Sequence, residues 1–340
     1  MLHFDSDYME GAHPEILKRL SEINFQKHPG YGTDAICESA REKIRGACGC
    51  PEAEIYFLVG GTQTNATVIR GLLRPFQGVL AADSGHISIH EAGAVEAGGH
   101  KVITIESREG KLCAESVREY LIRFYGDENH AHMVKPGMVY ISHPTEYGTL
   151  YTKQELKELS KVCREYKIPL YLDGARLSYA LAAEGTDVTL KVIGENCDAF
   201  YIGGTKNGAM MGEAVVFPKS MTEDFFTIVK QSGALMAKGW MLGVQFDVLF
   251  TEDLYLTCGI NGIRTAGMLR QGLRKKGYSF YIDSPTNQLF VVLENEKMEE
   301  LKEKVSFSFW ETMDENHSVV RFATSWATQE DEVEKLLSFL

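Results

Sequence analysis

The chain has 340 residues, 44% hydrophobic and 24% charged, which is ample for a sizeable core and long enough for two domains. Lys and Arg total 35 against 47 Asp and Glu; the net charge of −12 argues against nucleic acid or an anionic membrane surface as partner. No apolar stretch approaches the roughly 20 residues that span a bilayer, and Met1-Leu2-His3-Phe4-Asp5-Ser6-Asp7 has no basic region ahead of an apolar run, so neither a membrane span nor a signal peptide is expected. Of the seven cysteines only Cys48 and Cys50 lie close together, and no second Cys or His pair stands at zinc-ligand spacing. Free thiols in a reducing cytoplasm, and no metal, are the expectation.

Short apolar runs alternate with longer amphipathic stretches. Ile55–Val59 reads as a buried strand, as do Met138–Ser142, Pro169–Asp173, Ala199–Ile202 and Ala214–Phe217. Near-continuous apolar runs bounded by Gly or Asp fit a parallel sheet covered on both faces. Between them, Thr152-Lys153-Gln154-Glu155 has the form of a capping box, followed by Leu156, Leu159, Cys163 and Tyr166 on one helical face. A long helix is predicted around residues 253–276. Beyond it Leu289–Leu293, Val305–Phe309 and Val319–Phe322 read as strands of a small α+β unit, closed by a helix with Val333, Leu336, Leu337 and Leu340 on one face. The expected fold is α/β. A large domain over residues 15–250 has a mostly parallel sheet with helices on both faces, and a small domain comprises residues 1–14 and 251–340.

Ligands of such sheets sit beyond the carboxyl ends of the strands, so residues just after each strand carry the most information. Gly60-Gly61-Thr62 follows the first strand and opens a helix; it reads as a phosphate cup or as a plain Gly-Gly turn. It is neither a dinucleotide fingerprint nor a Walker loop. Asp83-Ser84-Gly85-His86 lies near the next strand's end, where an imidazole can stack on a flat ring or simply cap a helix. Asp173, ending Leu170–Leu172, reads as a helix cap or as the partner of a protonated pyridine nitrogen; Arg176 can grip a carboxylate. Lys206, in Gly203-Gly204-Thr205-Lys206-Asn207-Gly208, is either a solvated loop lysine or a nucleophile beside a cofactor, with Thr205 near its phosphate. Their order, cup, His, Asp, then Lys on successive strand ends, points to pyridoxal phosphate.

On these motifs the sequence resembles the low-specificity L-threonine aldolases, among the β-eliminating lyases of the fold-type I pyridoxal-phosphate enzymes, over nearly its whole length. Ser6-Asp7 is similar to the family's N-terminal Ser-Asp, Tyr31-Gly32-Thr33-Asp34 to its Tyr-Gly-Glu-Asp, and Gly61-Thr62-Gln63-Thr64-Asn65 to its Gly-Thr-Gln-Ala-Asn. His86 matches the stacking histidine, Asp173 and Arg176 its Asp-Gly-Ala-Arg, Lys206 the Schiff-base lysine, and Arg321 a second carboxylate-binding arginine; His132 falls near another active-site histidine. The resemblance implies a homodimer or homotetramer with active sites at the dimer interface, where Tyr31 can come from the neighbouring subunit. It departs from the family at Tyr8–His13, at Thr33 and at His143-Pro144-Thr145-Glu146, which replaces Glu-Asn-Thr above the cofactor. The implied reaction cleaves a β-hydroxy-α-amino acid to glycine and an aldehyde. Arg176 and Arg321 hold the carboxylate with Ser6 assisting, Tyr31 lies at the substrate, and His86 or His132 takes the hydroxyl proton. β-Elimination, transamination and a non-catalytic pyridoxal-phosphate sensor share the same cofactor residues.

Overall fold

The computed structural model describes residues 1–220 and 224–340. Its strands are β1 (Leu2–His3), β2 (Glu54–Leu58), β3 (Gln77–Ala82), β4 (Val102–Ile105), β5 (Lys135–Ser142), β6 (Leu170–Asp173), β7 (Ala199–Gly203), β8 (Glu213–Phe217), β9 (Phe280–Ile282), β10 (Gln288–Glu294), β11 (Val305–Ser306), β12 (Ser308–Thr312) and β13 (His317–Ala323). Seven form one sheet in the order β2-β8-β7-β6-β5-β3-β4. Alternate residues of each strand enter two apolar cores. Leu80, Val139, Leu172 and Phe200 pack on one face with Ile44, Leu121 and Leu156; Val79, Met138, Tyr171 and Tyr201 pack on the other with Val68, Ile69 and Val229. Both faces being buried explains the unbroken apolar runs.

All five strands predicted for the large domain are present. The last, β8, runs antiparallel to both β2 and β7. Its connection from β7, residues 204–212, is too short for the crossover of about a dozen residues that a parallel neighbour requires. The strands β3 and β4 are not among the runs that the pattern predicts. The capping box at Thr152 is closed in both directions, the Thr152 hydroxyl accepting from the Glu155 N–H and the Glu155 carboxylate from the Thr152 N–H.

The helix Leu254–Lys275 leads to a four-stranded antiparallel sheet ordered β12-β13-β10-β9. Residues 305–309, predicted as one strand, divide between β11 and β12; β11 pairs in parallel with β1, Leu2 opposite Val305. Phe4 shares a core with Leu269, Val291, Val320, Phe322 and Leu336. The chain's first residues thus pack with its last ninety or so, and residues 5–8 are carried from there to the edge of the large sheet. Because β8 runs backwards, its amino end, Glu213, lies at the same sheet edge as the carboxyl ends of β2, β5, β6 and β7. No helix among the described residues is long and apolar enough to cross a membrane.

Candidate active site

A cavity of about 350 Å³ opens at that edge. Its floor includes Gly60, Gly61 and Thr62, at the start of the helix Gly61–Leu72, which has no side-chain cap. Uncapped N–H groups at a helix start favour an anion. A Cβ on Gly61 would stand 3.2 Å from the Tyr201 hydroxyl, a contact tight enough to press on that side chain.

Asp173 ends β6 inside the cavity wall. Its Oδ1 accepts from the Tyr201 hydroxyl (2.6 Å) and the Ala175 N–H (3.0 Å), and its Oδ2 from the Tyr140 hydroxyl (2.7 Å) and Asn65 Nδ2 (3.0 Å). Burial alone would raise its pKa. The charge of His86 and the hydrogen bonds from Tyr201, Asn65 and Ala175 outweigh burial and hold the carboxyl below its ordinary range. Asp173 is therefore a fixed buried anion, not the cap of a surface helix. His86 lines the same cavity; its Nδ1 lies 2.8 Å from Glu91 Oε1, which also accepts from Asn65 (2.7 Å). That partner fixes the orientation of the ring through Nδ1.

Lys206 follows β7. Burial and the charge of Arg176 pull its pKa below the usual lysine range, against the pull of Asp7, Asp173 and Glu213. An amine so placed gives up its proton more readily and becomes a nucleophile. Thr205 also lines the cavity, yet its hydroxyl donates to Glu213 Oε1 (2.9 Å) and accepts from the Gly212 N–H (3.1 Å). Glu213 is pushed up to about 8 by burial, against its hydrogen bonds and the charge of Lys206.

A second hollow of about 580 Å³ continues outward, with Arg176 and Arg321 on its wall. Arg176 is held edge-on by buried Asp7, Nε to Oδ2 at 2.6 Å and Nη2 to Oδ1 at 3.1 Å, while Asn287 donates to the same carboxylate at 2.9 Å. The Nε edge that would grip a substrate is already spent on Asp7, so the edge carrying Nη1 is the one left for a ligand. Arg321 points away from the core that takes Val320 and Phe322, as strand alternation predicts. Its Nη1 donates to Gln288 (3.0 Å), and its Nη2 to the Asp5 carbonyl (2.9 Å) and Ser308 (3.0 Å). Among the described residues, Arg321 Nε, Ser6 Oγ and Gln288 Nε2 are buried polar atoms without partners. Burial and the charge of Arg176 lower the Arg321 pKa. Arg176 and Arg321 together give this hollow a positively charged wall.

The Beta-eliminating lyase family model matches residues 3–303. The chain belongs to the beta-eliminating lyase family. Over 337 residues, covering 98% of this chain and 95% of its relative, it is 29% identical to a low specificity L-threonine aldolase from Pseudomonas aeruginosa. A structure of Leishmania major threonine aldolase superposes with a TM-score of 0.96 at 41% identity, covering 99% of this chain and 98% of the other. An aspartate aminotransferase from Thermus thermophilus shares the fold, at TM-score 0.74 and 17% identity over 99% of this chain and 95% of its own.

Within this lyase Gly60, Gly61, Thr62, His86, Asp173, Arg176, Thr205 and Lys206 converge on the inner cavity, and Arg321 on the outer. Three predicted residues do not: Ser6 lines neither hollow, and Tyr31 and His132 stand elsewhere. Tyr31, half-exposed and in the left-handed region at φ 61°, lines a separate hollow with its ring under Lys230, 4.7 Å away. His132 ends a single turn ahead of β5 and is exposed. It therefore stands at the amino edge of the sheet, a strand's length from the cleft of its own chain, and His90, 5.6 Å from His86, is the second imidazole in that cleft. Glu91 and Glu213 carry no sequence signal of their place in the site, since each is placed by tertiary packing, whereas Glu146 lies in the segment that departs from the family pattern. Asp7 and Asn65 lie inside recognised motifs but show their partners only in the fold.

Proposed function

We propose that this lyase binds pyridoxal phosphate and cleaves the Cα–Cβ bond of a β-hydroxy-α-amino acid of the L-threonine type, releasing glycine and an aldehyde. What carries the reading is the union, in a chain matched end to end by threonine aldolases, of an uncapped helix start, a fixed carboxylate and a depressed lysine in one cavity with two arginines at its mouth. The donor set fits the cofactor: Gly60, Gly61 and Thr62 for the phosphate, Asp173 for the ring nitrogen, His86 for the ring face and Lys206 for the aldehyde carbon. Bound there, pyridoxal phosphate supplies an electron sink for the pair left on Cα.

The chain's own residues do the rest. Asp173, held charged by four hydrogen bonds, keeps the ring nitrogen protonated. Arg176 through Nη1, Arg321 and Ser6 take the substrate carboxylate, which fixes rotation about the bond to Cα and sets the bond to be broken. Asp7 holds the Arg176 plane in position. Lys206 would hold the cofactor, and its amine would be the group that returns a proton to Cα. We further infer that a second copy completes the site. Tyr31 keeps an unfavourable backbone conformation for an aromatic residue while contributing nothing to its own cleft, as expected of a residue that reaches a neighbour's. Mixing Lys206→Ala with Tyr31→Phe protein should then restore part of the activity missing from each alone.

The test is a substrate panel of L-threonine, L-allo-threonine, L-serine and L-cysteine on purified holoprotein, following aldehyde, glycine and keto acid together. Glycine with an equal amount of aldehyde is expected. A keto acid with ammonia would assign β-elimination, and a keto acid with aminated cofactor would assign transamination.

A further inference from the structure

Five side chains, Tyr8, His86, Glu146, Arg176 and Lys206, line both the inner cavity and the outer hollow. A substrate with its amine at the Lys206 end and its carboxylate at the arginines has its β-oxygen among them. The proton on that oxygen has to leave as the Cα–Cβ bond breaks. Lys206 is the group assigned to return a proton to Cα, an arginine has no lone pair to accept with, and Tyr8 is an exposed phenol. His86 and Glu146 remain. His86 is anchored through Nδ1 by Glu91 at 2.8 Å, the orientation of a ring laid on a cofactor face.

Glu146 belongs to His143-Pro144-Thr145-Glu146, the segment that replaces the family's Glu-Asn-Thr, and it is buried. Its Oε1 accepts from the His86 N–H at 2.8 Å and from the Ser142 hydroxyl at 2.7 Å. Ser142 is farther from the Tyr140 oxygen, 3.2 Å, and Tyr140 spends its own proton on Asp173 at 2.7 Å. Ser142 has one proton and the shorter contact claims it, so Glu146 Oε1 is pinned as an acceptor. Its Oε2 accepts no hydrogen bond among the described residues. We propose that Glu146 is the general base of the cleavage, its Oε2 taking the proton from the substrate's β-hydroxyl. The O–H pair becomes the second bond of the aldehyde carbonyl as the Cα–Cβ pair stays with Cα. Cα is then protonated to give glycine, and Glu146 returns its proton to solvent when the aldehyde leaves.

The surroundings suit a base. Burial and the charge of Asp173 raise the Glu146 pKa against the Ser142 hydrogen bond and the charge of His86. Arg176, Tyr140, Tyr147 and Tyr151 are the other titratable groups that sense it. A carboxylate that binds its proton more tightly than usual removes one more readily.

The inference rests on the aldolase reading, and the experiment separates the two. Wild-type, Glu146→Gln, Glu146→Asp and His90→Asn holoenzymes are compared in two reactions: cleavage of L-allo-threonine, and exchange of the glycine α-hydrogen in heavy water, which needs no β-hydroxyl. Gln keeps an acceptor for His86 and Ser142. Cleavage by Glu146→Gln is expected to fall roughly 10²–10⁴-fold, with glycine exchange falling at least ten times less, and Asp is expected to restore part of the cleavage. The pH-difference infrared spectrum of the wild-type holoenzyme is expected to show a buried carboxyl band that Glu146→Gln lacks. Cleavage kept in Glu146→Gln but lost in His90→Asn would transfer the role to His90. Equal loss of both reactions, or identical infrared spectra, would reduce Glu146 to a structural part. A wild-type protein that releases no aldehyde would overturn the aldolase reading and this assignment with it.

Discussion

Replacing Asp173 by Asn removes one charge and changes one atom, and the four hydrogen bonds around it fix where the damage falls. The Ala175 N–H can only donate, so the new amide must turn its oxygen toward Ala175 and Tyr201. Its NH2 then faces Tyr140 and Asn65. The Tyr140 hydroxyl can rotate and accept. Asn65 cannot, since its Nδ2 is a donor that also serves Glu91 and its Oδ1 already accepts from Tyr171. One buried donor is left opposite another, a loss of about 1–3 kcal/mol. The melting temperature of Asp173→Asn should fall by a few degrees, measured by calorimetry. Catalysis should suffer more, because the neutral amide no longer keeps the ring nitrogen protonated; roughly 10²–10³-fold in kcat is expected from losing one preorganised electrostatic partner. Steady-state aldehyde release with saturated cofactor is the assay. A variant with near-normal kcat would refute the role of Asp173 and make its network purely structural.

Arg321→Lys should reduce kcat/KM by roughly tenfold or more while leaving cofactor absorbance unchanged, since an ammonium cannot reproduce the guanidinium's several fixed donors; unchanged kcat/KM would leave Arg176 as sole anchor. Asp7 is the ordinary depressed carboxylate: burial would raise its pKa, but Arg176 and Lys206 outweigh burial and bring it to about 2 from 3.8. Its contribution to stability is complete above the unfolded value and is lost as pH falls toward the folded one, so Asp7→Asn should flatten the acid limb of the stability curve below about pH 4. Glu213 has the opposite sign. With a folded pKa near 8 against 4.5, it costs stability progressively as pH rises between those values, and Glu213→Gln should gain on the wild type across that window in thermal melts. Borohydride reduction of the holoenzyme followed by peptide mapping should place the label on Lys206; a label on another lysine would overturn that assignment.

The part of the site visible in the sequence is the part fixed by local chain direction. Gly60-Gly61-Thr62, Asp173 and Lys206 each follow an apolar run directly, so the rule that ligands sit at strand ends finds them without knowing the strand order. Sheet polarity also explains why His132 stands apart from its own chain's cleft. That residue precedes β5, and eight residues at about 3.3 Å each separate the two edges of the sheet. The strand β3 is expected only by its end, ahead of Asp83, and its range stays unread because Gln77-Gly78-Val79-Leu80-Ala81-Ala82 is rich in small residues rather than β-branched ones, although all but Gln77 are buried. Glu213 could not be foreseen, because only the reversed direction of β8 brings its amino end to the ligand edge. The same holds for Asp7 on Arg176, a pairing between residues 169 positions apart, made possible by β1 docking beside β11.

The most direct measurement follows the bond itself. Holoenzyme is given L-threonine labelled at both Cα and Cβ with an NMR-active carbon isotope, and the products are read by carbon NMR. Loss of the Cα–Cβ coupling, with label in glycine Cα and in the acetaldehyde carbonyl in equal amounts, is the predicted result. Label appearing in a single keto acid with the coupling retained would contradict it, because the Cα–Cβ bond would then have survived the reaction.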